Sequence, residues 1–176
     1  MLYLNCTANL AKTLKMKLLP PPDEKDLDWL DCWYVRDIPL DFPLDALLFT
    51  NVATHYSLVH PFDRREGIDE IILVFQQRLA EVTNRPIPMR PEPYKVCKTS
   101  SRRVLGCMNE HAYALLHKVE HQRSEEGVQF EKIEEHLNAG ISGGLFPQAE
   151  FEKHLDQGAA TKTKPTKFPH MRIVEE

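Results

Sequence analysis

The chain has 176 residues, 42% of them hydrophobic and 27% charged, enough apolar side chains for one compact domain with a sizeable core and too few residues for two full domains. Its formal net charge of −4 argues against whole-molecule attraction to nucleic acid or to an anionic membrane. No run approaches the roughly 20 apolar residues needed to span a bilayer, and the opening "MLYLNCTANLAK" has neither the basic start nor the unbroken apolar stretch of a secretion signal.

In chain order, "LYLNC" at 2–6 predicts a short strand that hands over at Thr7, a capping residue, to a helix in "ANLAKTLKMKLL", where Leu10, Leu14 and Leu18 recur every four residues. The acidic, proline-led "PPPDEKDLDWLD" reads as a loop, and "CWYVRDI" at 32–38 has the aromatic and β-branched content of a strand. "ALLFTN" and "HYSLVH" are apolar runs separated by a few residues around Val52 to Thr54, which predicts an antiparallel hairpin. The clearest helix is 66–83, entered at Asp63 or Gly67, where Ile68, Ile71, Ile72, Phe75, Leu79 and Val82 form one apolar stripe.

After a proline-rich connection at 86–93, "YKVCK" and "RVLGCM" read as strands, the second apolar on both faces and so central in the sheet. Asn109 then caps a helix running to about residue 122, with Ala112, Leu115, Leu116 and Val119 facing inward. A further helix over 128–138 is built on Phe130, Ile133 and Leu137 and ended by "NAGISGG". Pro147 opens a last short helix that buries Phe151 and Leu155.

These elements predict an α+β domain over 1–158: a mainly antiparallel sheet with a hairpin near 46–60, packed against three to five helices. The Thr/Lys/Pro-rich remainder, 159–176, reads as a flexible basic tail of net charge +2, leaving −6 on the body.

Cys6, Cys32, Cys97 and Cys107 are separated by 26, 65 and 10 residues, with no Cys-x-x-Cys pair and no compact Cys/His cluster, so they read as free buried thiols in a reducing, cytoplasmic setting. No metal or other cofactor is expected. His55 and His60, five apart on a strand, would face opposite ways; His117 and His121 have metal-compatible helical spacing but no third ligand in a recognised pattern, and read as a solvated helix face. No Gly-rich phosphate loop, nucleophile elbow or paired carboxylates are present. Trp29 and Trp33, beside the acids at 23–31, read as core, with a partner-binding edge as the alternative.

Two candidates carry chemistry. From 85 to 103, Arg85, Arg90, Lys95, Lys98, Arg102 and Arg103 face one acid, Glu92, so this segment is net +5 in an acidic body. If "YKVCK" and "RRVLG" pair, alternation gathers several cations on one surface, where arginine forks hold phosphate or carboxylate and the helix start at Asn109 adds N–H donors. The candidate anion site is therefore Lys95, Lys98, Arg102, Arg103 and Asn109; the plainer reading is that these cations balance nearby acids and guard a sheet edge. The second candidate is Cys6, at a strand-to-helix junction where a helix N-terminus lowers a thiol pKa, although no pattern brings a histidine to it as base.

Three stretches, "LNCTANLAKTL", "LLFTNVATHYSLV" and "TSSRRVLGCMNEH", together resemble an uncharacterised family of small, mostly bacterial single-domain proteins known only as a domain of unknown function. The resemblance covers about residues 1–138 and rests on Cys6 and Thr7, on Leu48, Phe49 and Asn51, and on Arg102 or Arg103 with Val104, Gly106, Met108 and Asn109. Where family members often carry a Trp-His pair, this chain has Trp-Leu-Asp-Cys-Trp at 29–33. The resemblance implies no particular activity, substrate or catalytic residue.

The leading expectation is a binding or interaction module whose basic strand surface engages an anionic small molecule or an acidic protein surface. The alternative is an enzyme that uses Cys6 or a histidine near the anion site. Nucleic acid is a third partner class, disfavoured by the charge of the body, and no membrane partner is expected.

Overall fold

The computed structural model describes residues 1–23, 27–40, 45–122 and 128–162. Strand β1 (Leu2–Cys6) leads to helix α1 (Ala8–Thr13), and a 3-10 turn at Trp29–Asp31 precedes β2 (Cys32–Ile38). The hairpin β3 (Asp45–Asn51) and β4 (Ser57–Phe62), helix α2 (Ile68–Val82) and strand β5 (Tyr94–Lys98) follow. Helices α3 (Arg102–Gln122), α4 (Phe130–Ala139) and α5 (Pro147–Lys162) complete the described chain.

The fold is α+β, with the hairpin and the helices of the sequence reading. The sheet runs β4-β3-β2-β1-β5. It is mixed, because β1 pairs in parallel with both β2 and β5 while the β2–β3–β4 half is antiparallel. None of the helices among the described residues is long and apolar enough to cross a membrane.

Register divides the sheet into two unlike faces. On one, Leu2, Leu4, Trp33, Val35, Leu47, Phe49, Leu58 and Phe62 pack against Leu10 of α1, Ile71, Ile72 and Phe75 of α2 and Phe151 of α5. Phe75 stacks on Phe49 at 4.4 Å between centroids and meets Trp33 edge-on at 5.2 Å. Trp33 is fully buried and its indole N–H donates to Leu30 O, while Trp29 is half-buried against Phe151, so the two tryptophans are core. The opposite face joins Ile38, Leu48 and Val59 to Ala112, Leu115 and Val119 of α3 and to Ile133 and Leu137 of α4.

Each outer strand is covered over part of its length. Beside β5, Leu19 N donates to Val96 O (3.0 Å) and Lys98 N donates to Leu19 O (2.9 Å). Beside β4, α4 replaces a neighbouring strand with side chains: Ser57 N donates to Asn138 Oδ1, Asn138 Nδ2 donates to Ser57 O, and Val59 N donates to Glu134 Oε2. Arg78 pairs with Glu134 at 2.9 Å, yet burial still outweighs that partner and raises the carboxyl pKa.

Several expectations are corrected. "RVLGCM" is the start of α3, not a strand: Val104, Cys107, Met108, His111, Ala112, Leu115 and Val119 form one continuous buried stripe at three- and four-residue steps. Asn109 therefore lies inside α3 and caps nothing, and Leu116, expected inward, is 40% exposed. Helix α1 stops at Leu14, before Lys15 at φ 54°, because the chain beyond it turns to line β5. His55 is in the hairpin turn, not on a strand beside His60. Helix α5 runs to Lys162, past the expected boundary at 158; the rest of the expected tail, 163–176, lies outside the described residues.

Candidate functional site

At the corner between β5 and α3, the residues from Lys98 to Arg103 turn around a buried phenol. Tyr34, on β2 and fully buried, accepts hydrogen bonds at its hydroxyl from Ser100 N (2.9 Å) and Ser101 N (2.7 Å). Ser101 then caps α3, its Oγ accepting from Val104 N. The first-turn amides of Arg102 and Arg103 have no intrahelical acceptor, and the 21-residue helix places the positive end of its dipole there. Lys98, Arg102 and Arg103 are exposed at this corner, and among the described residues no carboxylate pairs with them.

The remaining candidate positions are dispersed. Lys95 is three residues before Lys98 on β5 and so on the opposite face, with its Nζ 5.5 Å from the Tyr3 ring centroid. Asn109 accepts from the Arg36 guanidinium. Arg85 lies away from the corner, lining a groove with Met1, Asp31 and Glu92. The basic segment is therefore not one strand surface, because the second of the two strands that would have made it is helical.

Beneath the corner lies a buried polar cluster. In the hairpin turn, Asn51 Oδ1 accepts from Ala53 N, Thr54 N and Thr54 Oγ1, and its main-chain oxygen accepts from His55 N. These bonds hold His55 at φ 60°, the left-handed region that non-glycine residues enter at a cost. His55 Nδ1 donates to Ser142 O at 3.0 Å, a carbonyl that only accepts, so in the neutral ring the lone pair is on Nε2. Cys107 Sγ stands beside the ring, 3.4 Å from Nδ1 and 4.0 Å from Nε2.

One helical turn along α3, His111 Nδ1 lies 2.8 Å from Ser57 Oγ, which is 2.9 Å from Thr50 Oγ1. Burial, and then the neighbouring His55, push the His111 pKa down to about 4, so this ring is neutral at neutral pH. The cluster is closed by the Ser142–Leu145 turn, whose end residues exchange backbone hydrogen bonds. Gly143, at φ 57°, fits where nothing larger does: a Cβ there would be 2.6 Å from Cys107 Sγ and 2.8 Å from His55 Cε1. Arg103 donates to Gly143 O at 3.1 Å, tying the basic corner to the lid of the thiol–imidazole pair.

Cys6 has the opposite environment. It is buried on the apolar face, and burial together with the nearby Cys97 pushes its pKa up to about 12. Thr7 beside it caps α1 by accepting from Leu10 N. All four cysteines are buried and outside any disulfide, and among the described residues no group of three or more histidine, cysteine or acidic side chains is arranged to hold a metal. The sequence reading did not bring together His55, Ser57, Cys107, His111, Asn138 and Ser142. One usable signal was the four-residue spacing of Cys107 and His111, visible once α3 is extended back to residue 102. No family model, curated protein or solved structure matches this chain.

Proposed function

We propose that this chain is a cytoplasmic binding module, bacterial by its family resemblance, that takes an anionic ligand at the β5–α3 corner. Lys98, Arg102 and Arg103 supply the charge, and the first-turn amides of α3 supply directed donors. The observation that carries the reading is three exposed cations, none with a carboxylate partner among the described residues, at the positive end of a long helix. Lys95 is a peripheral contributor, and Asn109 is occupied by Arg36. A phosphate-bearing small molecule or an acidic protein surface meets the same requirements.

The test is a thermal-shift screen of the full chain against pyrophosphate, nucleotides and phosphorylated metabolites. A ligand at a hundred times its Kd adds about 2.7 kcal/mol and raises Tm by several degrees. The reading expects this shift in the wild type and its loss in Arg102→Ala/Arg103→Ala; an equal shift in both proteins rejects the corner. A nucleic-acid ligand would instead announce itself by a steep loss of affinity with salt.

One observation favours a second reading, an enzyme that uses a histidine near the anion corner. Arg103 holds the turn that covers His55 and Cys107, so a bound anion that recruits Arg103 also loosens the cover of a thiol with a proton acceptor beside it. Alkylation of Cys107 that quickens when pyrophosphate is added supports this reading, and a rate indifferent to pyrophosphate sinks it.

A further inference from the structure

On the outer side of α3, buried Leu115 and Val119 turn the intervening helix face to solvent and leave His117 and His121 exposed, one turn apart. Their rings meet at 62°, with centroids 4.4 Å apart and the two Nε2 atoms 3.3 Å from each other. Two nitrogens that each sit about 2.0–2.1 Å from one tetrahedral ion are about 3.3–3.4 Å apart. The nitrogens thus already span one edge of a zinc tetrahedron.

We propose that His117 and His121 form a surface chelate for a divalent transition-metal ion of the zinc type, bound through both Nε2 atoms. The ligand chemistry sets the class of ion: paired imidazoles suit Zn2+, Cu2+ and Ni2+ and give no advantage to Ca2+ or Mg2+. Without metal, one ring donates its Nε2–H to the lone pair of the other. The metal form needs both N–H protons on Nδ1, a tautomer shift in one ring with no net loss of a proton.

The segment His117-Lys118-Val119-Glu120-His121 has the H-x-x-E-H order that sets two imidazoles on one helix face in a class of zinc hydrolases. Among the described residues no group of three His, Cys, Asp or Glu forms around the pair, and the proposal is of binding, not hydrolysis. It is independent of the anion corner at the other end of the helix.

The experiment is equilibrium dialysis of the full, metal-stripped and reduced chain against Zn2+. The wild type should take up one zinc per chain. His117→Gln or His121→Gln should each weaken uptake by about 100-fold, as loss of a chelate does. His136→Gln, at an exposed histidine on α4, should leave it unchanged. Absence of uptake at millimolar zinc overturns the proposal, as does uptake equal in the wild type and both variants, which would place the ion away from this pair.

Discussion

The two faces of the sheet are built on different terms. The face under α2 and α5 is aliphatic and aromatic almost throughout, with Phe49, Phe75, Trp33 and Phe151 as its bulk. The face under α3 and α4 has apolar packing at each end and, between them, a stripe of Thr50, Ser57, Cys107, His111 and Asn138 whose polar atoms find partners on other elements. An apolar face gains from any good packing, whereas a buried polar stripe is stable only if each bond in it is made. The second face is therefore where single changes reveal geometry, and the first is where they reveal volume.

The largest effect should come from the apolar face: Phe75→Ala removes the ring between Phe49 and Trp33 and should cost about 3–5 kcal/mol in urea unfolding. On the polar face, His111 gives a pH signature. Its folded pKa of about 4 is below the 6.5 of an ordinary imidazole, so the unfolded chain binds the extra proton first. Stability through this group is complete above 6.5 and declines as pH falls toward 4, by roughly 3 kcal/mol. Glu134, with its raised pKa, acts in the opposite direction. The decisive measurement is thus the difference in pH dependence between wild type and His111→Asn.

Gly143→Ala should cost about 2–3 kcal/mol, from the left-handed backbone and the contact with Cys107 Sγ. Adding Cys107→Ala should recover part of that loss, and strict additivity of the two changes would show that they do not touch. Asn138→Ala should cost about 2 kcal/mol by leaving Ser57 N and O without their partner. At the small end, Arg102→Ala/Arg103→Ala should cost about 1 kcal/mol or less, from the lost Arg103 bond to Gly143 O, while removing the anion response.

The comparison also explains what was legible in the sequence. Helix α2 is readable because its apolar stripe has the helical period, and the β3–β4 hairpin because two apolar runs flank a short break, although β3 itself is buried along its whole length on both faces. "RVLGCM" was misread because a six-residue apolar run has no period of its own, and the helical stripe emerges only when 104–108 is read together with 111–119. The Leu10, Leu14, Leu18 spacing suggested one long helix, yet the chain leaves it after Thr13 and lays Leu19 along β5. Of the candidate anion residues, Lys98, Arg102 and Arg103 meet at one corner through local chain geometry alone. The buried cluster draws on the hairpin, α3, α4 and the turn after α4, a juxtaposition made by the tertiary fold that no local pattern encodes.

The covered margins of the sheet bear on how this protein meets other chains. A peptide that docks by strand addition needs a run of open donors and acceptors, the same template from which fibrils grow. Leu19 occupies part of that run beside β5, and Asn138 with Glu134 occupies it beside β4. A strand adding at either margin would first have to displace Leu19 or the Asn138 and Glu134 side chains, so each margin carries a steric and hydrogen-bonding cost against sheet-to-sheet joining.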